Sequence, residues 1–131
     1  MCYDSFFPVL GYLCGLKASS KIPVIIGLEN IDVSMEDLKA FSAAFGTTAS
    51  APLFHMVGVT PEAPTVNQAL GSNTSVETIN LIEKDVLEIV DVLNSGFPKN
   101  NDIDLVALGN PHLSIDECKN IAQFCNGHQM I

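Results

Sequence analysis

Apolar and polar positions along this chain follow two rhythms. The run KIPVIIGL, residues 21–28, is short, β-branched and unalternating, and it is bounded by Pro23 and Gly27, the pattern of a strand buried on both faces. A helix is predicted close behind it. Ser34 stands as an N-cap with Asp37 three residues on, Leu38, Phe41 and Phe45 recur at helical spacing, and Gly46 occupies the place of a C-terminal glycine cap. APLFHMVGV, residues 51–59, reads as a second buried strand, closed by TPEAPT, whose prolines forbid a long helix there. Thr65 to Leu70 has room for one helical turn. From Ile82 to Leu93 the positions Ile82, Val86, Ile89, Val90 and Leu93 form an apolar stripe, with Glu83, Asp85, Glu88 and Asp91 on the wet side. After the polar turn GFPKNNDID, IDLVALG (103–109) reads as a third buried strand. The last helix opens on Ser114 and Glu117 as a capping box and carries Ile115, Cys118, Ile121, Ala122 and Cys125 along one side.

Buried strands alternating with amphipathic helices define the α/β class: a partial parallel sheet of about three to four strands, flanked by helices and joined by right-handed crossovers. No strand follows the last helix, so such a sheet keeps unpaired edges unless other strands cover them. The pattern is that of a segment of a larger, multi-layer domain.

Composition narrows the possibilities. With 131 residues, 47% of them hydrophobic, the chain can bury one core. Six basic against fifteen acidic residues give a formal charge of −9, which repels phosphate backbones and anionic lipid, so neither nucleic acid nor membrane is an expected partner. The opening MCYDSFFPVLGYLCGLKASS has Asp4 where a signal peptide needs a basic segment, and Pro8, Gly11 and Gly15 break its apolar run, so it reads as mature sequence. Cys2, Cys14, Cys118 and Cys125 form no CxxC pair, which fits a reducing, cytoplasmic compartment.

In an open α/β sheet, ligands bind beyond the carboxyl ends of the strands, where the next helix presents free N–H groups. GNPH, residues 109–112, falls there. Gly109 permits close backbone approach, Pro111 stiffens the turn, Asn110 offers a donor and an acceptor, and His112 precedes a positive helix end that favours a neutral imidazole. Equally, Asn110 and His112 could do no more than tie the turn together. His55, late in the second strand, and Thr60 and Glu62 just after it would face the same crevice if the strands are neighbours, although a histidine in an apolar strand is more often a core residue and Thr60 a simple cap. Cys118, Cys125 and His128 have a spacing open to zinc, but both thiols fall on the apolar stripe and read as small core residues. No GxGxxG, P-loop, GxSxG or HExxH motif occurs.

Three stretches, YDSFFPVLGYLCG, PLFHMVGVTPEAPT and DLVALGNPHLSIDE, in this order and with the helix EDLKAFSAAF among them, resemble the catalytic large subunit or domain of aconitase X. The resemblance covers essentially the whole chain, and HMVGVTPEAPT and GNPHLS are its specific parts. It implies a lyase that removes water from a small hydroxylated acid, the family's activities including cis-3-hydroxy-L-proline dehydratase and phosphomevalonate dehydratase. It further implies iron, commonly as an iron–sulfur cluster held by cysteines, and a smaller swivelling subunit or domain as partner. Residues 1–131 would then be a single segment of that catalytic domain, incomplete at both ends.

Many members of the family read Gly-Cys-Pro-His where this chain has Asn110, a departure closer to the hydroxyproline branch that removes one metal ligand and leaves Cys118 as the substitute candidate. By this resemblance, iron pulls on the departing hydroxyl while a proton next to the carboxylate is withdrawn. Asn110 and His112 would hydrogen-bond substrate or leaving group, Ser114 and its helix end would hold a carboxylate, and His55, Thr60 and Glu62 would be second contributors. Two rivals remain: a catalytically inactive fragment or interaction module, suggested by the short length, and a zinc-binding module.

Overall fold

Two glycines decide how the first unit packs. The computed structural model describes residues 5–73, 76–96, 105 and 112–127, which divide into one unit over Met1–Gly96 and a second over Phe97–Ile131. The chain opens with α1 (Phe6–Ala18), whose Gly11 and Gly15 lie against α2 (Met35–Thr48). A Cβ on Gly11 would overlap the Phe41 carbonyl, and one on Gly15 would overlap the Thr48 hydroxyl and crowd the Phe45 carbonyl at 2.8 Å. Because Gly11 meets Phe41 and Gly15 meets Phe45 and Thr48, the two helices run in the same direction. The Thr48 hydroxyl also donates to the Tyr12 carbonyl at 2.9 Å, tying the end of α2 to the middle of α1.

The glycines and Pro8 that made the opening read as a broken apolar run therefore belong to a helix. Pro8 lies in the first turn, where backbone N–H groups have no intrahelical partner to lose. Phe7, Val9, Leu10, Leu13 and Cys14, with Gly11 and Gly15, bury the greater part of the circumference of α1, as befits a central helix rather than an amphipathic surface one. On one side Phe7, Leu10 and Cys14 join Leu28, Phe41, Phe45 and Met56. On the other, Val9 and Leu13 pack on Val86 and Ile89 of α4 (Glu83–Leu93).

Helix α2 starts where the sequence placed it. The Ser34 hydroxyl accepts from Asp37 N at 3.1 Å and the Asp37 carboxylate accepts from Ser34 N at 3.0 Å. Its end differs: the helix runs through Gly46 to Thr48, because the packing of Thr48 on α1 outweighs a glycine stop signal. The short helix α3 (Val66–Leu70) is capped by Thr65, as expected for one turn. In α4 only Val86 and Ile89 of the predicted stripe are buried, while Ile82 and Leu93 at its ends are exposed.

Strands β1 (Val24–Ile25) and β2 (His55–Met56) pair in parallel, Val24 opposite His55 and Ile25 opposite Met56, with α2 between them in sequence. This β-α-β unit agrees with the α/β class. The expectation of three to four strands buried on both faces is not met among the described residues: the sheet has two strands of two residues each. Met56 is fully buried, but Ile26 is 58% exposed and Ile22 and Leu53 are exposed beside it, since no other described strand covers them. The predicted third strand, 103–109, lies outside the described residues apart from Leu105, which is exposed.

In the second unit α5 (Ile115–Cys125) has the predicted capping box, Ser114 N donating to Glu117 Oε2 at 2.6 Å and Glu117 N to the Ser114 hydroxyl at 3.2 Å. The core role expected for its stripe is not met within that unit: no residue of α5 is buried, Cys118 is exposed, and Phe124 is 83% exposed. No helix among the described residues is long and apolar enough to cross a membrane.

Gly11→Ala and Gly46→Ala should have opposite signs. At Gly46 a Cβ meets nothing, so alanine gains roughly 0.5–1 kcal/mol of helix stability. At Gly11 the overlap is with backbone, which no rotamer change relieves, and an overpacking cost of up to about 3 kcal/mol outweighs that gain. Urea unfolding of both variants checks this.

Candidate functional site

His55 begins β2, and its backbone N–H donates to the Pro23 carbonyl at 2.9 Å, so the ladder with β1 fixes where the imidazole stands. Beyond Met56 the chain turns back tightly. Gly58 takes φ +72°, its N–H donates to the Ala63 carbonyl at 2.9 Å, and Ala63 N donates to the Thr60 carbonyl at 3.0 Å. Thr60 clasps the start of this loop: its hydroxyl oxygen accepts from Met56 N at 3.1 Å and lies 3.2 Å from the Met56 carbonyl, to which it donates. The turn carries Glu62 back to His55, with Oε1 3.3 Å from Nδ1. The His55 side chain is 21% exposed and that of Glu62 53%, so the pair sits at the rim of the core.

Three of the residues singled out in the sequence, His55, Thr60 and Glu62, are thus brought together at the carboxyl edge of a parallel strand pair. Thr60 also fills the bland role, as the clasp of its own loop. The loop after β1 contributes a residue that sequence reading missed. Glu29 folds back so that Oε2 accepts from Gly27 N at 2.9 Å, and its Cβ and Cγ lie 3.2 Å from where a Cβ of Gly58 would stand. The two carboxyl-edge loops therefore lie in contact, with Gly58 leaving room for the Glu29 stem. The only trace of this in the sequence is the Gly27-x-Glu29 spacing, too common to single out.

Both carboxylates are held below the ordinary glutamate range. For Glu62 the leading cause is its own backbone N–H, followed by the Thr60 hydroxyl and then by His55. For Glu29 it is again its own backbone N–H, followed by that of Gly27. Hydrogen bonds to the ionised form stabilise it.

In the second unit His112 is exposed, two residues ahead of the Ser114 cap. The Ser114 hydroxyl and N–H are both engaged by Glu117, so a bound carboxylate there would compete with the protein's own. Asn110, like His128, lies outside the described residues. Among the described residues no three His, Cys, Asp or Glu side chains are grouped to hold a metal ion. Cys14 is buried, and burial pushes its thiol up to about 11, the reverse of what a thiolate ligand needs. Cys118 stands on α5 without companion ligands among the described residues. The described residues do not fit an iron or iron–sulfur centre.

Parallel strands, an intervening helix and polar side chains gathered at the strand ends are the construction of an α/β segment with a candidate site at its carboxyl edge. The family model for the aconitase X second domain matches residues 2–91, and the chain belongs to the aconitase X family. It is 49% identical over 124 residues to a cis-3-hydroxy-L-proline dehydratase of Hypocrea jecorina, covering 95% of this chain and 21% of that protein. It is 43% identical over 126 residues to a protein of the same name from Pseudomonas aeruginosa, covering 96% of this chain and 21% of the relative. A phosphomevalonate dehydratase large subunit of Methanothermobacter thermautotrophicus is 32% identical over 120 residues, 92% of this chain and 28% of that subunit. The chain thus spans about a fifth of the length of the hydroxyproline relatives.

Two outcomes follow. A carboxyl whose pKa is lower folded than unfolded contributes stability that is complete above its ordinary value of 4.5 and is lost as pH falls through the folded value. Urea midpoints across the acid limb should accordingly fall less steeply in Glu62→Gln and Glu29→Gln than in the parent chain. Iodoacetamide at mildly alkaline pH should label Cys118 well before Cys14, as read by peptide mass spectrometry, with the difference vanishing in denaturant.

Proposed function

We propose that this chain is a substrate-site segment of a hydro-lyase acting on a small hydroxylated carboxylic acid of the cis-3-hydroxy-L-proline type. The observation that carries the reading is the His55–Thr60–Glu62 cluster at the carboxyl edge of the β1–β2 pair, in a chain whose 49% and 43% identical relatives bear that enzyme's name. Elimination of water needs groups that hold the acid, fix its hydroxyl and accept or relay a proton. An imidazole and a carboxylate in contact supply the last two.

The local charge supports a plain acid over a phosphorylated one. All six basic residues are lysines, at positions 17, 21, 39, 84, 99 and 119, and none falls in the loops 27–32 and 57–65. A phosphate group is ordinarily held by several cationic donors, so these loops favour the hydroxyproline branch over phosphomevalonate.

In the same reading Asn110 and His112 remain candidate substrate contacts of the complete enzyme. Iron, where the family carries it, would supply Lewis acidity and would need ligands from the rest of the catalytic domain rather than from the described residues. That remainder also covers the exposed Ile22, Ile26 and Leu53, and a swivelling small subunit or domain closes on the site.

The test is dehydration of cis-3-hydroxy-L-proline by the gene product in its complete reading frame. His55→Ala and His112→Ala should each lower kcat/KM by about 10²-fold or more, the scale of acid–base and positioning contributions. Full rates in both variants would refute the assignment.

A further inference from the structure

Glu62 meets His55 at one ring nitrogen, Nδ1, and such a contact bears on which nitrogen of the imidazole carries the proton. A neutral imidazole has one N–H and one lone pair, and an ionised carboxylate can only accept. The Glu62 carboxyl is held below the ordinary glutamate range, with its own backbone N–H as the leading cause, and an ordinary glutamate is already ionised near neutral pH. Glu62 Oε1 lies 3.3 Å from Nδ1. The His55 main chain is pinned to Pro23, and Gly58 with φ +72° and Ala63 set the turn that returns Glu62. The partner of Nδ1 is thus a product of loop geometry and not of a long side chain settling at random.

We infer that Glu62 is a positioning residue that holds His55 as the Nδ1–H tautomer, so that Nε2 carries the lone pair and serves the site as a hydrogen-bond acceptor. This deepens the dehydratase reading and rests on it for the identity of the ligand. An acceptor recognises donors: the hydroxyl of a hydroxy acid, or the ring ammonium of a cyclic imino acid. It repels a carboxylate. His55 is accordingly assigned to the hydroxyl or ammonium end of the substrate, and the acid group is bound elsewhere.

Long-range ¹H–¹⁵N correlation spectra of the full chain read the tautomer directly. They are taken at about pH 8, where an ordinary histidine is neutral. The three histidines are assigned by single His→Gln variants. In the parent chain Nδ1 of His55 should be protonated and Nε2 should show the shift of an unprotonated ring nitrogen. Glu62→Ala should move the population toward Nε2–H, and Glu62→Gln, whose side-chain oxygen still accepts, should restore Nδ1–H. A parent chain with Nε2–H overturns the assignment whether or not either variant folds. So does an unchanged tautomer in Glu62→Ala whose backbone spectrum is preserved. Inactivity of the complete protein on cis-3-hydroxy-L-proline is read separately: it would overturn the substrate reading and leave the tautomer standing.

Discussion

Close approach of two parallel helices is the constraint on which the first unit depends. Without side chains at Gly11 and Gly15, α1 comes down onto the backbone of α2, and Phe41 and Phe45 are pressed into the space they share with Phe54, the Phe41 and Phe54 ring centroids being 4.6 Å apart. Full burial of an aromatic side chain contributes roughly 1.5–3 kcal/mol, so Phe41 alone is a sizeable part of a domain stability of about 5–15 kcal/mol. That contact holds α2 in place, and α2 is the crossover that sets β1 beside β2. A sheet of two-residue strands is too small to define itself. The helices hold the strands in register, and the register holds His55.

The polar cluster inherits its geometry from this apolar arrangement. Met56 is fully buried and anchors the loop, so the residues on either side of it, His55 before and Thr60 after, are carried to the rim with little freedom. Glu29 approaches from the neighbouring strand end and fits only because Gly58 has no side chain. Two sterically demanding positions, Gly58 in the site and Gly11 in the core, thus do the same thing at different depths: each lets one segment come within contact of another's backbone or stem.

Much of this was legible in the sequence where the signal is local. The capping boxes Ser34–Asp37 and Ser114–Glu117 formed as their spacing requires, and the stripe of Phe41 and Phe45 is the core-facing side of α2. Helix α1 was not legible, because a helix buried over the greater part of its circumference has little polar face to give a period, and its glycines count as breakers until their partner helix is known. The strands were over-read for the converse reason. Ile22, Ile26 and Leu53 carry the composition of a doubly covered sheet, and that composition suits a larger domain than the described residues supply. In the site, His55, Thr60 and Glu62 lie within eight consecutive positions and could be grouped from spacing and a general rule about strand ends. Glu29 lies 26 residues before His55, and only the parallel pairing reveals that its loop meets theirs. Asn110 falls outside the described residues.

The uncovered apolar side chains along β1 and β2 bear on how the polypeptide behaves in bulk. A charge of −9 at neutral pH keeps copies apart in dilute buffer, but that repulsion is long-ranged and shrinks to about 3 Å at 1 M ionic strength. The attraction between exposed isoleucines is short-ranged and survives added salt. Colloidal stability of the isolated polypeptide is therefore expected to be electrostatic, and concentrated electrolyte or acidification toward the isoelectric point its sequence gives, near 4.4, should drive it to self-associate.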